Sequence, residues 1–196
     1  MSAITTRVLF GADLDAVLDD VAGLRIAVFC DWPYLYAGEL AHERDYIATY
    51  RGKEGAVVVG AFDGETLIGA ATGTRLSDHA AEFAAPFAAC DWPIEDVFYC
   101  AESVLLPRYR GRGLGHAFFD AREAHARAIG ARFSAFCSVI RLPNHPLRPV
   151  EYRPLDAFWA KRGYAPMDGV IARFTWVDVD EAAASEKALQ FWGRAL

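Results

Sequence analysis

The sequence predicts a mixed α/β (α+β) fold, a sheet flanked by helices, because short strand-like runs alternate with helical ones along the chain. Two further observations support it. Ala56-to-Thr74 reads as a hairpin about Asp63-Gly64, and the apolar run Val97–Leu105 is followed by Pro107, a glycine-rich turn and a long amphipathic segment.

Ile4 to Phe10 reads as a first strand. Asp13 is placed to cap a helix whose apolar positions Leu14, Val17, Leu18, Val21, Leu24 and Val28 keep helical spacing. Pro33 disfavours helix at Trp32, so Trp32-Pro33-Tyr34-Leu35-Tyr36 breaks it. A second helix is expected over Glu39 to Tyr50, and the hairpin strands over Ala56 to Phe62 and Thr66 to Thr74. A short helix over Asp78 to Ala89 is expected between strands. Val97 to Leu105 has the near-continuous apolar character of a central strand. From Gly113 a helix runs to Ile129, with Leu114, Ala117, Phe118, Ala121 and Ala128 on one face and Gly130 to end it. Arg132 to Ile140 reads as a strand, Leu155 to Arg162 as a short helix and Val170 to Val177 as a last strand.

Composition narrows the function classes. Charged residues are 23% of the chain and no run approaches the roughly 20 apolar residues of a membrane span, so no membrane partner is expected. Met1-to-Arg7 lacks the layout of a secretory signal. Cys30, Cys90, Cys100 and Cys137 are far apart, with no metal-ligand spacing. They read as reduced core thiols of a cytoplasmic protein, and no metal is expected. Residues 1–100 carry 6 basic and 16 acidic side chains, whereas residues 101–132 carry six arginines against three acids. An acidic chain suits nucleic acid poorly, but a local basic patch suits a compact polyanion.

That patch lies on Pro107-Arg108-Tyr109-Arg110-Gly111-Arg112-Gly113-Leu114-Gly115-His116, between strand and helix. A helix N-terminus leaves backbone N–H groups unpaired and carries partial positive charge. Glycines let that backbone approach a phosphate, and arginines add donors. A Walker loop is absent, because Leu114 follows Gly113 and His116 follows Gly115 where Lys-Ser or Lys-Thr is needed. The dinucleotide pattern fails too, because the spacing is GxGxG and no early βαβ unit precedes it.

Arg110, Gly113 and Gly115 instead fill the Arg/Gln-x-x-Gly-x-Gly/Ala signature, and the chain resembles the GNAT (GCN5-related N-acetyltransferase) superfamily over residues 4–177. The segment Leu155-to-Tyr164 is similar to the family's late helix ending in Gly-Phe. The resemblance implies one domain over residues 1–177, with a mixed central sheet of about six to seven strands whose fourth and fifth splay apart. Residues 178–196 are expected as a C-terminal tail packing on the domain or on a neighbouring subunit, as in a homodimer. It implies acetyl-CoA as cosubstrate, direct attack by the amine of a small-molecule acceptor, Val104 and Leu105 as backbone partners of the pantetheine arm, and Arg110, Gly111, Arg112, Gly113, Leu114, Gly115 and His116 around the pyrophosphate.

An alkyl amine with a pKa near ~10 must lose a proton to attack. Glu102, in an otherwise apolar strand near the expected thioester, is the candidate base. The alternative is a structural Glu paired with an arginine. Where the family carries a tyrosine four residues before the glycine, Trp159 stands here, and indole cannot serve as that acid. Tyr152, at the position of a common Asn, is the candidate acid, with Tyr99 weaker. A packing tyrosine and an unassisted thiolate are the alternatives. The acceptor wall is expected from Phe29, Trp32, Tyr34 and Tyr36, closed from the other side by Arg141-to-Pro149 with His145. A rival reading keeps the fold and acetyl-CoA binding but no transfer, as a sensor or regulatory module.

Overall fold

A computed structural model describes residues 3–79 and 81–196. Met1 and Ser2 of the expected non-secretory N-terminus, and Ala80 of the expected helix 78–89, lie outside the described residues. The elements are β1 (Ile4–Leu9), α1 (Gly11–Ala16), α2 (Leu18–Phe29), α3 (Leu40–Ala48), β2 (Val57–Asp63), β3 (Thr66–Arg75), α4 (Ala81–Ala84), β4 (Val97–Leu105), α5 (Leu114–Ala128), β5 (Phe133–Val139), α6 (Asp156–Lys161), β6 (Ala165–Trp176) and β7 (Ser185–Ala195). They build a seven-stranded mixed sheet in the order β1-β2-β3-β4-β5-β7-β6. Every neighbouring pair is antiparallel except β4 and β5.

Side chains alternate across the sheet, as a pleated strand requires. Val57, Val59 and Ala61 of β2 join Phe118 and Phe119 of α5 on one face, while Val58 and Phe62 join Leu14, Leu18, Val21, Leu24 and Ile47 on the other. A third cluster holds Val97, Tyr99, Ala135 and Phe191 near the middle of the sheet.

Two local expectations are corrected. Asp13 does not cap a helix. The chain turns at Gly11 (φ 46°), Phe10 is the N-cap without a side-chain bond, and Asp13 lies in the first turn, where a carboxylate favours the helix dipole. Helical spacing then breaks at Val17, between α1 and α2. The larger correction concerns residues 178–196. Ser185–Ala195 is not a tail but β7, paired from Phe133↔Ala195 to Val139↔Leu189 on one side and with β6 on the other. Its Phe191 is fully buried. Phe191 and Trp192 were the visible signal: adjacent large apolar residues fit a strand that is covered on both faces.

Candidate active site

β4 and β5 pair over only three steps, Val97↔Phe133, Phe98↔Ser134 and Tyr99↔Ala135. Beyond them the strands part, and the sheet opens a cleft between Cys100–Leu105 and Phe136–Val139. Val104 and Leu105 lie on β4 within this open stretch, held from behind by pairing with Ala70 and Gly69 of β3.

A bulge determines where Glu102 points. Thr72 pairs with Glu102 but Thr74 pairs with Tyr99, so two steps of β3 match three of β4. Before the bulge Phe98 and Cys100 face α5. After it Val104 faces α2 and α3, which turns even-numbered Glu102 away from the α5 core as well. Arg122 of α5, 1% exposed, braces the distortion by donating from one terminal nitrogen to the carbonyls of Glu102 (3.0 Å) and Thr72 (3.2 Å).

On its new face Glu102 meets charge and phenols. Its side chain is 7% exposed, with Oε1 2.6 Å from an Arg25 terminal nitrogen; Oε2 accepts from the Tyr46 hydroxyl at 3.1 Å. The Arg25 contact is an ion pair without hydrogen-bond alignment at Oε1. Arg25 also binds the buried Glu43 and lies over the rings of Tyr46 (4.3 Å) and Phe29 (5.1 Å). Burial alone would lower the Arg25 pKa, but Glu102, Tyr46 and Glu43 outweigh it and raise it. Glu102 is thus paired with an arginine, an environment that either of its two readings must accommodate. Thr72 donates to Tyr50 at 3.1 Å, and the Tyr50 and Tyr46 hydroxyls lie 3.1 Å apart, so a line of hydroxyls ends on Glu102. His79 Nε2 approaches Tyr46 Oη at 3.4 Å, and burial lowers the His79 pKa to about 4.

At the cleft's other end lies the loop before α5. Gly111 (φ 75°) and Gly113 (φ 82°) take left-handed conformations, and a Cβ at either would meet nothing within 4 Å, so the backbone there faces open space. Gly113 is the N-cap of the 15-residue α5, with no side chain capping it. The first amides of α5, at Leu114, Gly115 and His116, therefore stand at an open helix start. Gly115 differs, because its Cβ would reach Phe158 at 3.3 Å. Arg108, Arg110 and Arg112 are exposed; Arg110 Nε donates to the Leu105 carbonyl at 3.4 Å, tying loop to strand. Tyr109 anchors the turn by donating to Asp63 at 2.9 Å. His116 Nδ1 lies 3.2 Å from Arg162, just past α6.

The aromatic loop lies on the side of the cleft opposite α5. Tyr34 stacks on Trp176 (6.4 Å) and meets Phe29 at a tilt (4.8 Å), and Trp32 packs against His145 (5.1 Å) and, edge-on, Tyr152 (5.9 Å). Tyr36 is drawn apart from these, donating to Glu43 at 2.8 Å. Tyr152 is half-buried beneath Arg148, and burial followed by Asp156 raises its pKa, keeping the phenol protonated. Tyr99 shares a 3.2 Å contact with the Cys137 thiol, which burial pushes up to about 12. Trp159 packs on Phe136 (4.9 Å) and Trp192 (5.2 Å), a place in the core.

Sequence reasoning missed Arg25, Glu43, Tyr46 and His79. The signal was present: Arg25 falls four residues after Val21 on the buried stripe of α2, and Glu43 four before the buried Ile47 on α3. A charge on the apolar face of a helix is uncommon unless it has a partner there.

A model of the acetyltransferase (GNAT) family matches residues 25–150, and the chain belongs to that family. No curated protein matches the sequence. Among solved structures, the yncA protein of Salmonella typhimurium, determined with its cofactor acetyl-CoA, is similar at a TM-score of 0.64 and 14% identity, covering 100% of this chain and 95% of that one. An acetyltransferase from Thermus thermophilus superposes at 0.60 with 15% identity over all of both chains. The paiA N-acetyltransferase of Thermoplasma acidophilum, in complex with coenzyme A, is similar at 0.51 and 14%, covering 99% of each. At these identities the likeness is one of fold. Among the described residues no helix is long and apolar enough to cross a membrane.

Proposed function

We propose that the chain transfers an acetyl group from acetyl-CoA to the primary amine of a small molecule. The observation that carries this is the three-step β4–β5 seam, which opens a cleft with an arginine- and glycine-rich helix start at one end and Glu102 near its middle. The residues present fit the donor: open left-handed glycines, exposed arginines and free helix amides suit a pyrophosphate, and the parted strands leave backbone for an extended arm. When bound, acetyl-CoA supplies an activated thioester.

Arg110, Gly111, Arg112, Gly113, Leu114, Gly115 and His116 hold the phosphates, and Val104 and Leu105 align the arm by backbone bonds. Glu102 receives the amine proton. A carboxylate offers about four acceptor positions, and Tyr46 fills one while Arg25 pairs by charge alone, so lone pairs remain for an ammonium proton. Tyr152 holds a proton at its hydroxyl for the departing sulfur. Phe29, Trp32, Tyr34 and Tyr36 border the acceptor, with the Tyr36 hydroxyl committed to Glu43.

Release of free thiol from acetyl-CoA over a panel of primary amines tests the reading, together with Glu102→Gln across pH. Loss of a positioned base lowers turnover by about 10²–10⁴-fold; an unchanged pH profile removes Glu102 from the mechanism. Calorimetric binding of acetyl-CoA with no thiol release for any amine would establish the binding-module alternative.

A further inference from the structure

Arg141 sits outside the cleft chemistry, yet it joins three separate segments. It follows β5, its side chain is 9% exposed, and each of its three nitrogens donates a hydrogen bond. Nε donates to the Pro33 carbonyl at 2.8 Å, one terminal nitrogen to the Tyr34 carbonyl at 2.5 Å, and both terminal nitrogens reach Asp178, at 2.5 and 3.0 Å. Asp178 lies in the β6–β7 connection, which is laced to the aromatic loop by its own backbone: Ala37 donates to Val177 at 3.0 Å, and Val179 donates to Leu35 at 2.7 Å. Trp176 Nε1 adds a second donor to the Tyr34 carbonyl at 3.2 Å. The main chain of Tyr34 is thus held from outside while its ring packs on Phe29 and Trp176. Its half-buried ring packs on Phe29, over which lies the Arg25 guanidinium that pairs with Glu102.

We propose that Arg141 is the positioning residue of the acceptor side: by fixing the Pro33 and Tyr34 carbonyls against Asp178 it sets where the Tyr34 ring and hydroxyl stand in the cleft, and so which acceptors fit beside Glu102. The inference rests on the acetyl-transfer reading. A guanidinium is required because its fork serves two carbonyls and a carboxylate at once, whereas an ammonium is a single point charge. The effect is confined to the acceptor wall. The phosphate loop is tied instead to Asp63, Leu105 and Arg162, and in Arg141→Met the Asp178 carboxylate keeps Lys187 at 3.4 Å, which in turn holds Glu181 at 3.0 Å. No buried charge is left without a partner.

The test compares wild type, Arg141→Met, Arg141→Lys, Tyr34→Phe and the Arg141→Met/Tyr34→Phe double variant, using the panel amine with the highest turnover as acceptor. Losing charge-assisted bonds to the wall is expected to raise acceptor KM by about tenfold or more. The lysine variant is expected to behave like methionine, kcat to stay within about threefold, and calorimetric acetyl-CoA affinity within about twofold. The double variant is expected to raise KM by less than the product of the singles, because Arg141 acts through Tyr34. Amide exchange over residues 33–37 should accelerate. An unchanged KM, rescue by lysine, or KM, kcat and acetyl-CoA affinity collapsing together would overturn the proposal. If wild type acetylates no amine, the proposed function fails by itself, and unchanged exchange at 33–37 would then overturn the clamp independently.

Discussion

Replacing His79 by Gln should remove much of the acid sensitivity of this fold. The imidazole is enclosed by Phe83 (4.4 Å), Tyr99 (5.0 Å) and Tyr46 (6.4 Å). Burial chiefly lowers its pKa to about 4, Lys53 lowers it further, and Glu102 and Glu82 oppose the shift. The folded-state value is depressed below an unfolded value of about 6.5, so the unfolded chain takes up the proton first. Stability is therefore full above pH ~6.5 and is lost as pH falls toward about 4. From these two values, the loss assigned to His79 between pH 7.5 and 5 is about 2 kcal/mol. Glutamine cannot titrate but can still bond Tyr46, and its poorer packing should cost about 1 kcal/mol at every pH. The two stability curves should cross near pH ~6, with the variant the more stable at pH 5. Urea unfolding followed by tryptophan fluorescence at several pH values measures both curves, and all other titrating groups are common to them. A gap between the curves that stays constant with pH would refute the burial argument.

The phosphate loop and the strand spacing give two more predictions. Gly113→Ala places a Cβ in open space but at φ 82°, so stability should fall only by the left-handed strain, about 1–2 kcal/mol, while acetyl-CoA affinity measured by calorimetry falls by about tenfold or more. Unchanged affinity would mean that the phosphate does not approach there. Gly69→Ala puts a Cβ 2.8 Å from the Val104 carbonyl oxygen, a backbone atom that cannot swing aside. Urea unfolding should show a loss of about 1–3 kcal/mol, with weaker acetyl-CoA binding as β4 shifts.

Local patterns were sufficient for most of the architecture. The hairpin was legible from Asp63-Gly64, α5 from the stripe ending at Gly130, and β4 from its apolar run, because each depends on neighbours in sequence. The phosphate loop was legible for the same reason: its strand, turn and helix are contiguous. The surroundings of Glu102 were not. Its orientation depends on a bulge that no residue type announces, and its partners come from α2 and α3, more than fifty residues away. β7 escaped for a related reason, since its partners on both sides are settled by tertiary pairing rather than by its own periodicity.

The position of β7 also bears on the order of assembly. The strands β1 to β4 each pair with the next strand in sequence, so that half of the sheet needs no strand encoded after it. β5 and β6 cannot satisfy their facing edges with each other. Each waits for a strand encoded after both, and until it arrives they present open backbone, the kind of edge on which chains aggregate. Among the described strands, the three-step seam is the ladder that joins this late half to the early one. The shortness of that seam therefore has two effects: it leaves the cleft open in the finished molecule, and it makes the cleft's β5 wall dependent on the last long-range closure of the chain.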